Sequence, residues 1–287
     1  MTNPRADRVR DVAKLATRAA RNRRRQFLAE GPQAVREALR MDAERRAVGA
    51  EPVVVELYAS EPCLSRHPEI AHLAEATGRL RLADDEVLAA MADTVNPQGI
   101  VAVCTMLDVP LASVLAPRPR LLAVMCRVQD PGNAGTILRA ADSAGAAAVV
   151  LTAGSVDIYN PKAVRSTAGS IFHVPVVLGV DPADFAAAAR AAGLGILAAD
   201  GGGPLDLDGL QDAAAGRRAG GDGDAGEYRL EDPTAWLFGN EAQGLSDAEK
   251  DLADHRVAVP LYGRAESLNV GTAATVCLYA SARSQRR

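Results

Sequence analysis

Three stretches hold most of the residues able to do chemistry in this chain: GNAGTILRAADSAGA (132–146), LFGNEAQGLS (237–246) and LYGRAESLNVGTAAT (261–275). In the first, Gly132 and Gly135 let a backbone or ligand come close, and Asn133 is placed to cap a helix. Arg139 falls about 200° round from Ile137 at 100° per residue, away from the apolar stripe Ile137, Leu138, Ala141 and Ala144. An arginine so placed is either a solvated charge, paired with Asp142, or a guanidinium offered to a phosphate or a partner subunit. In the second, Gly239-Asn240-Glu241 turns the chain, and Gly244 and Ser246 open the next helix. In the third, Ser267, Leu268 and Asn269 stand at the mouth of a helix whose Gly271, Ala273 and Ala274 permit close packing. Each stretch alone reads as a turn or a cap; three of them at strand ends in one domain point to a ligand site. The common phosphate cradles are absent, since neither GxxxxGK[ST] nor a GxGxxG between strand and helix occurs. The ExGxGxG start of the common methyltransferase fold is missing too, and no paired-carboxylate, Ser-His-Asp or Cys-His site can be assembled.

The elements that must carry these residues follow from periodicity. VVVELYA (53–59) and GIVAVCTM (99–106) are β-branched runs with helical patterns at 67–77 and 84–92 between them. A further helix opens at Gly31-Pro32 with Val35, Ala38 and Leu39 on one face. This predicts a small α/β domain over 26–106. Three prolines in LDVPLASVLAPRPR predict a semi-rigid linker at 107–120. From 121 to 287 strands and helices alternate, which predicts a parallel sheet covered by helices on both faces. In such sheets ligands gather beyond the carboxyl ends of strands, where all three stretches lie. The Gly- and Asp-rich segment 201–233 reads as a mobile surface insertion.

At 287 residues and 29.9 kDa the chain has room for two domains, and 48% hydrophobic with 24% charged residues is a globular balance. Of 32 Lys+Arg only Lys14, Lys162 and Lys250 are lysines, and alanine abounds, as a GC-rich coding sequence would give. The first 25 residues carry +7 against an overall −4, leaving −11 on the remainder: a basic arm on an acidic body. Cys63, Cys104, Cys126 and Cys277 show no metal-ligand spacing and read as buried thiols of a reducing compartment. No apolar run reaches a membrane span or follows the basic start as a signal would. A soluble cytoplasmic protein without a metal is expected.

Taken with their order and spacing, NAGTILRAADSAGA, LFGNEAQGLS and VPLYGRAESLNVGTAATVCLYA resemble the three signature motifs of the SpoU/TrmH family of RNA ribose 2′-O-methyltransferases. RRRQFLAEGPQAVREAL resembles that family's small L30e-like RNA-binding domain. The resemblance implies a SPOUT fold with a C-terminal trefoil knot, a homodimer and S-adenosylmethionine as cofactor. It implies three cofactor loops: Gly239, Asn240 and Glu241; Val259, Pro260 and Leu261; and Ser267, Leu268 and Asn269. Bulk at Gly239 should then block the cofactor. It places Arg139, Asn133, Ser267, Asn269 and Glu241 in the catalytic set, and gives Arg165 a phosphate-binding position beside Arg139.

A guanidinium has five donors and no acceptor, so Arg139 is expected to bind the RNA phosphate and stabilise charge on the ribose oxygen rather than act as a base. The arm, with Arg23, Arg24 and Arg25, is expected to add RNA affinity that falls with salt. The L30e-like domain implies 23S ribosomal RNA as substrate, and the family includes resistance methyltransferases of antibiotic producers. The alternatives are a transfer RNA methyltransferase and a non-catalytic RNA-binding protein of the same fold. An oxidoreductase lacks the glycine fingerprint.

Overall fold

Strand pairing resolves the alternating pattern into two sheets, one in each of two compact units of the computed structural model, which describes residues 1–220 and 228–286. The first unit comprises Met1–Leu107 and Asp157–His173, the second Asp108–Val156 and Val174–Arg287.

The first unit holds strands β1 (Gln26–Glu30), β2 (Val54–Ala59), β3 (Leu80–Leu82) and β4 (Ile100–Thr105) in the order β1-β4-β2-β3. Helix Pro32–Ala47 follows Gly31, whose φ of 85° turns the chain, and buries Ala34, Val35, Ala38 and Leu39. The first 25 residues are not a free arm. They form helices Asp7–Ala13 and Arg18–Arg24, joined by a 3₁₀ turn. Val9, Val12, Leu15 and Ala20 pack with Leu28, Tyr58, Val87, Leu88 and Met91. The charges masked a three-residue apolar period at Val9, Val12 and Leu15.

One arginine of that segment is structural. Arg21 is 2% exposed. Its Nε and Nη2 donate to Asp157 Oδ2 at 2.9 and 2.7 Å, and its Nη1 donates to the carbonyls of Leu15 and Ala16. Arg23 and Arg25 are exposed, while Arg24 is half-buried and donates to the carbonyl of Asp11 at 2.9 Å. Removing residues 1–25 would therefore strip the core, not just positive charge. Segment Asp157–His173 joins this unit through buried rings: Tyr159 and Phe172 lie 4.8 and 5.8 Å from Phe27.

The second unit holds seven parallel strands: β5 (Leu121–Met125), β6 (Ala148–Thr152), β7 (Val176–Val180), β8 (Gly195–Ala199), β9 (Leu205–Asp206), β10 (Thr234–Phe238) and β11 (His255–Ala258). Their order is β7-β6-β5-β10-β8-β11-β9. β5, β6 and β10 are buried at every residue, as strands covered on both faces must be. The chain runs outward from β5 to β7, then restarts at β8 on the other side of β10. That reversal marks where such sheets bind ligands.

Two expectations for connecting segments change. The proline-rich stretch is not a spacer: the Val109 amide bonds the Val176 carbonyl at 2.9 Å, and helix Leu111–Leu115 sinks Val114 and Leu115 into the second core. The 201–233 segment contains β9, paired with β11, and helix Leu207–Arg218, which buries Leu207, Leu210 and Ala214. Few bulky residues suffice because a short helix needs only one apolar stripe. Residues 221–227 of that segment lie outside the described residues. All four cysteines are buried and free. No helix among the described residues is long and apolar enough to cross a membrane.

Candidate active site

Phe238 pairs with Met125, and the Cys126 amide carries the ladder one step further to the Phe238 carbonyl at 2.7 Å. The loops after β5 and β10 therefore leave the sheet side by side. Asn240 fixes the second loop. Its Oδ1 accepts from the amides of Ala242 and Gln243, and its Nδ2 donates to the Arg127 carbonyl at 3.0 Å. Glu241 then reaches back to the β5 loop, where its carboxylate accepts from the amides of Gln129 (3.1 Å) and Asp130 (3.0 Å) and from Asn133 Nδ2 (3.1 Å). Burial pushes the Glu241 carboxyl upward, but the Gln129 amide, the Asn133 side chain and the Asp130 amide outweigh it and hold the group below the ordinary carboxylate value.

Helix Pro131–Ala144 is capped by Asp130, whose Oδ1 accepts from the Asn133 amide at 2.9 Å. Asn133 is therefore not the cap, and its side chain is left for the site. The final helix, Val270–Gln285, is capped by Asn269, whose Oδ1 accepts from Gly271 and Thr272; Ser267 has no part in it. The two helices pack closely at their starts, since a Cβ on Gly271 would lie 2.9 Å from Thr136 Cγ2. Trp236 Nε1, donating to Ser281 Oγ at 2.9 Å, ties the final helix to β10.

This packing brings Asn269 Nδ2 to Asn133 Oδ1 at 2.9 Å. The direction of the chain is fixed from both ends. A carboxylate only accepts, so Asn133 must turn its amide nitrogen to Glu241 and its oxygen to Asn269. The Asn269 oxygen is already held by its helix, so its nitrogen must face Asn133. Each amide keeps a second N–H free of this relay.

Beside the relay is a cavity of about 590 Å³, a volume typical of small-molecule sites. Three of its walls are the expected ones: Gly239 to Glu241, Val259 to Leu261, and Ser267 with Leu268. Phe238, Val257, Val270 and Ala273 add apolar surface. Outside helices and strands, no backbone hydrogen bond of the described residues uses residues 259–268, so their amides and carbonyls are available. Apolar walls with unused backbone edges fit an adenosine-bearing cofactor such as S-adenosylmethionine.

Gly239 belongs to this wall for a different reason from the expected one. A Cβ there would lie 2.3 Å from the Gly244 carbonyl carbon and the Leu245 nitrogen. It would strike its own chain before it reached the cavity.

The wall after β8, formed by Ala199, Asp200 and Gly201, was missed. The strand-end rule would have found it, because GILAAD is a strand followed by three glycines. Gln129 and Asp130 were missed because they contribute through their backbone amides. Arg127 was missed as well. It adopts φ 56°, pairs with Glu249 through Nε (2.9 Å) and Nη2 (2.7 Å), and offers its carbonyl to Asn240. Glu249 also closes the capping box with Ser246.

The Arg127 hydrogen bond outweighs burial and holds the Glu249 carboxyl below the ordinary value of 4.5. Because the folded value is depressed, the stability it gives is complete above about 4.5 and is lost as the pH falls through the folded value. Glu249→Gln is expected to destabilise the protein by about 2 kcal/mol at neutral pH. Paired melting curves check this: the gap from the parent should close in acid, and a gap independent of pH would refute the ionic origin.

Arg139 is exposed on the outer face of helix Pro131–Ala144, with Ile137, Leu138, Ala141 and Ala144 buried opposite. It does not line the cavity. Arg165 lies in the first unit, where it pairs with Glu30 at 3.0 Å and Asp93 at 3.3 Å. Arg23, Arg24 and Arg25 belong to that unit too. Within the second unit the structure thus brings together Asn133, Glu241, Asn269, Ser267 and the cavity walls, without Arg139 among the lining residues.

Fold and site define an α/β protein with a parallel sheet and a cavity at the carboxyl ends of its strands. Residues 120–279 match the SpoU rRNA Methylase family, and the chain belongs to it. Residues 6–102 match the MRM3-like substrate binding domain. The 23S rRNA (guanosine(2553)-2′-O)-methyltransferase RlmP of Bacillus subtilis is 33% identical over 95% of this chain and 94% of its own. The AdoMet-bound rRNA methyltransferase of Sinorhizobium meliloti superposes with a TM-score of 0.77 and 27% identity, covering 99% of this chain and 97% of that one. The SpoU methyltransferase AviRb of Streptomyces viridochromogenes, in complex with AdoMet, gives 0.76 and 29% over 97% and 98%.

Proposed function

We propose that the protein transfers a methyl group from S-adenosylmethionine to a ribose 2′-hydroxyl of 23S ribosomal RNA. The observation that carries this is the Glu241–Asn133–Asn269 relay beside the cavity walled by the three family loops. When bound, the cofactor supplies an activated methyl on a sulfonium. The chain's own contribution is alignment and charge. The two asparagines present their spare N–H groups to orient the ribose, and Arg139 holds the adjacent phosphate and stabilises negative charge on the attacking oxygen. Glu241 acts as an orienting group. Its depressed pKa and three N–H donors make it a poor proton acceptor, so the hydroxyl proton passes to the adjacent RNA phosphate or to water while S-adenosylhomocysteine leaves.

Several finer features belong to the same proposal. They are the trefoil knot, the L30e-like character of the first unit, a cytoplasmic location and a homodimer. Val276 and Tyr279, exposed one turn apart on the final helix, support a partner there. Protection of the ribosome from an antibiotic is checked by the inhibitory concentration in cells with and without the gene.

Incubating unmodified 23S rRNA with radiolabelled S-adenosylmethionine should leave one labelled, alkali-resistant linkage. Label in transfer RNA alone would move the substrate, and RNA binding without label would make the protein non-catalytic. In the same assay Asn133→Ala is expected to lower kcat about tenfold with little change in cofactor Kd. Asn133→Asp should be worse than Ala, because it sets a second carboxylate against Glu241. An Asp variant as active as the parent would remove the relay from the mechanism.

A further inference from the structure

The segment 201–233 has no part in the relay, yet the helix it carries touches the loop that walls the cavity. Both lie in the second unit. Loop 259–268 is fixed at its two ends. Before it, β11 pairs with β9, Val257 with Leu205 and Ala258 with Asp206, and after it Asn269 caps the final helix. Between these anchors, residues 261–268 are all exposed. Among the described residues they make a single hydrogen bond, in which the Tyr262 hydroxyl donates to Asp208 Oδ2 on helix Leu207–Arg218.

Asp208 is free to serve as that acceptor because Asp206 is the helix cap: its Oδ1 accepts from the amides of Asp208 and Gly209 at 2.9 and 3.0 Å. Asp208 Oδ1 accepts from Gln211 Nε2 at 3.4 Å, which leaves Oδ2 to the tyrosine. The helix is itself held at both ends. Its start continues β9, reached by a turn so close to β11 that a Cβ on Gly203 would lie 2.7 Å from the Arg256 carbonyl carbon. Near its end, Arg217 Nε and Nη2 donate to Glu231 at 2.9 Å each. Leu207, Leu210 and Ala214 are buried between. The hydrogen bond to Asp208 raises the Tyr262 hydroxyl above its ordinary value, so it stays a proton donor.

Tyr262 is 85% exposed and does not line the cavity, whereas its neighbour Leu261 and, beyond the bend, Glu266, Ser267 and Leu268 do. A tether at Tyr262 thus acts on the wall from outside. Without it the middle of the loop would be held by nothing, and the conformations it gained would have to be given up again on binding.

We infer that Tyr262 and Asp208 are positioning residues for the cofactor: their hydrogen bond ties loop 259–268 to the helix of the 201–233 segment and holds Leu261, Ser267 and Leu268 in place as a wall. The inference rests on the methyltransferase reading for the identity of the ligand. Because the tether touches neither the relay nor the reacting atoms, its loss should show in cofactor affinity and not in the rate at saturation.

The test uses the full chain and S-adenosylmethionine. Tyr262→Phe removes the donor and Asp208→Ala the acceptor, and each is expected to raise the cofactor Kd and KM about fivefold, the scale of one hydrogen bond. The kcat on rRNA and the melting temperature should stay at the parent values. Asp208→Asn keeps an acceptor oxygen and should fall between Asp208→Ala and the parent. The two losses should not add when combined, because one bond cannot be broken twice. In the protein without cofactor, trypsin should cut after the exposed Arg264 faster in both single variants than in the parent. Parent-like Kd in both single variants overturns the inference, as do effects that add. A parent that binds S-adenosylmethionine and methylates rRNA no better than these variants keeps the enzymatic reading and loses the tether. A parent that binds no S-adenosylmethionine sinks the enzymatic reading, while equal trypsin rates refute the tether whatever the ligand.

Discussion

Arg139→Ala is expected to reduce single-turnover methylation of rRNA by about a hundredfold or more, the scale seen when one preorganised donor to a developing oxyanion is removed. Folding should be unaffected, because the side chain is exposed on the face opposite the buried Ile137–Leu138–Ala141–Ala144 stripe. Cofactor affinity should also stay constant, since Arg139 is not part of the cavity wall. Arg139→Lys keeps the positive charge but loses the planar two-pronged contact with phosphate, so its rate should fall between those of Ala and the parent. The measurement is quenched-flow methylation alongside calorimetry and melting temperature. A parent-like rate for the Ala variant removes Arg139 from the mechanism. A lowered melting temperature would make it a structural residue.

Gly239→Ala is expected to lose cofactor affinity at least tenfold and stability by about 3 kcal/mol, and Gly239→Val more of both. The atoms that an added Cβ would meet at 2.3 Å are backbone atoms of Gly244 and Leu245, so no side-chain rotation relieves the overlap. The turn is closed there by the reciprocal bonds of Asn240 and Gly244, at 3.0 and 2.8 Å, and these must open to make room. The cavity wall would then come apart with the turn. Simple obstruction of the cavity would give another pattern, with weak binding at an unchanged melting temperature and Ala tolerated. Calorimetry and melting of the Ala variant separate the two, and parent values in both would show that the close approach does not exist.

The second domain was the more legible. The runs LLAVM, AVVLT and TAWLF are strands buried on both faces, and a continuous apolar run of that length announces this locally. Ser246 at the start of a helix and the outward face of Arg139 follow from spacing alone. The first 25 residues were misjudged because charge dominates their composition, whereas burial depends on the spacing of three apolar residues, Val9, Val12 and Leu15. The 201–233 segment was misjudged because glycine and aspartate content says little once Leu207, Leu210 and Ala214 have a surface to cover.

By itself the sequence determined the periodic elements, the polar stretches at strand ends and the family those stretches resemble, because each is set by residues near one another in the chain. The tertiary structure alone decided which of those residues meet. Asn133, Glu241 and Asn269 become one directed relay only because β5 and β10 are neighbours in register and because Gly271 lets two helix starts approach. It also decided that Arg165 pairs with Glu30 and Asp93, and that Asp130 and Asn269 are the caps. A hydrogen bond across 108 or 136 residues has no local signature in the chain, since its geometry exists only once the sheet order and the helix packing are fixed.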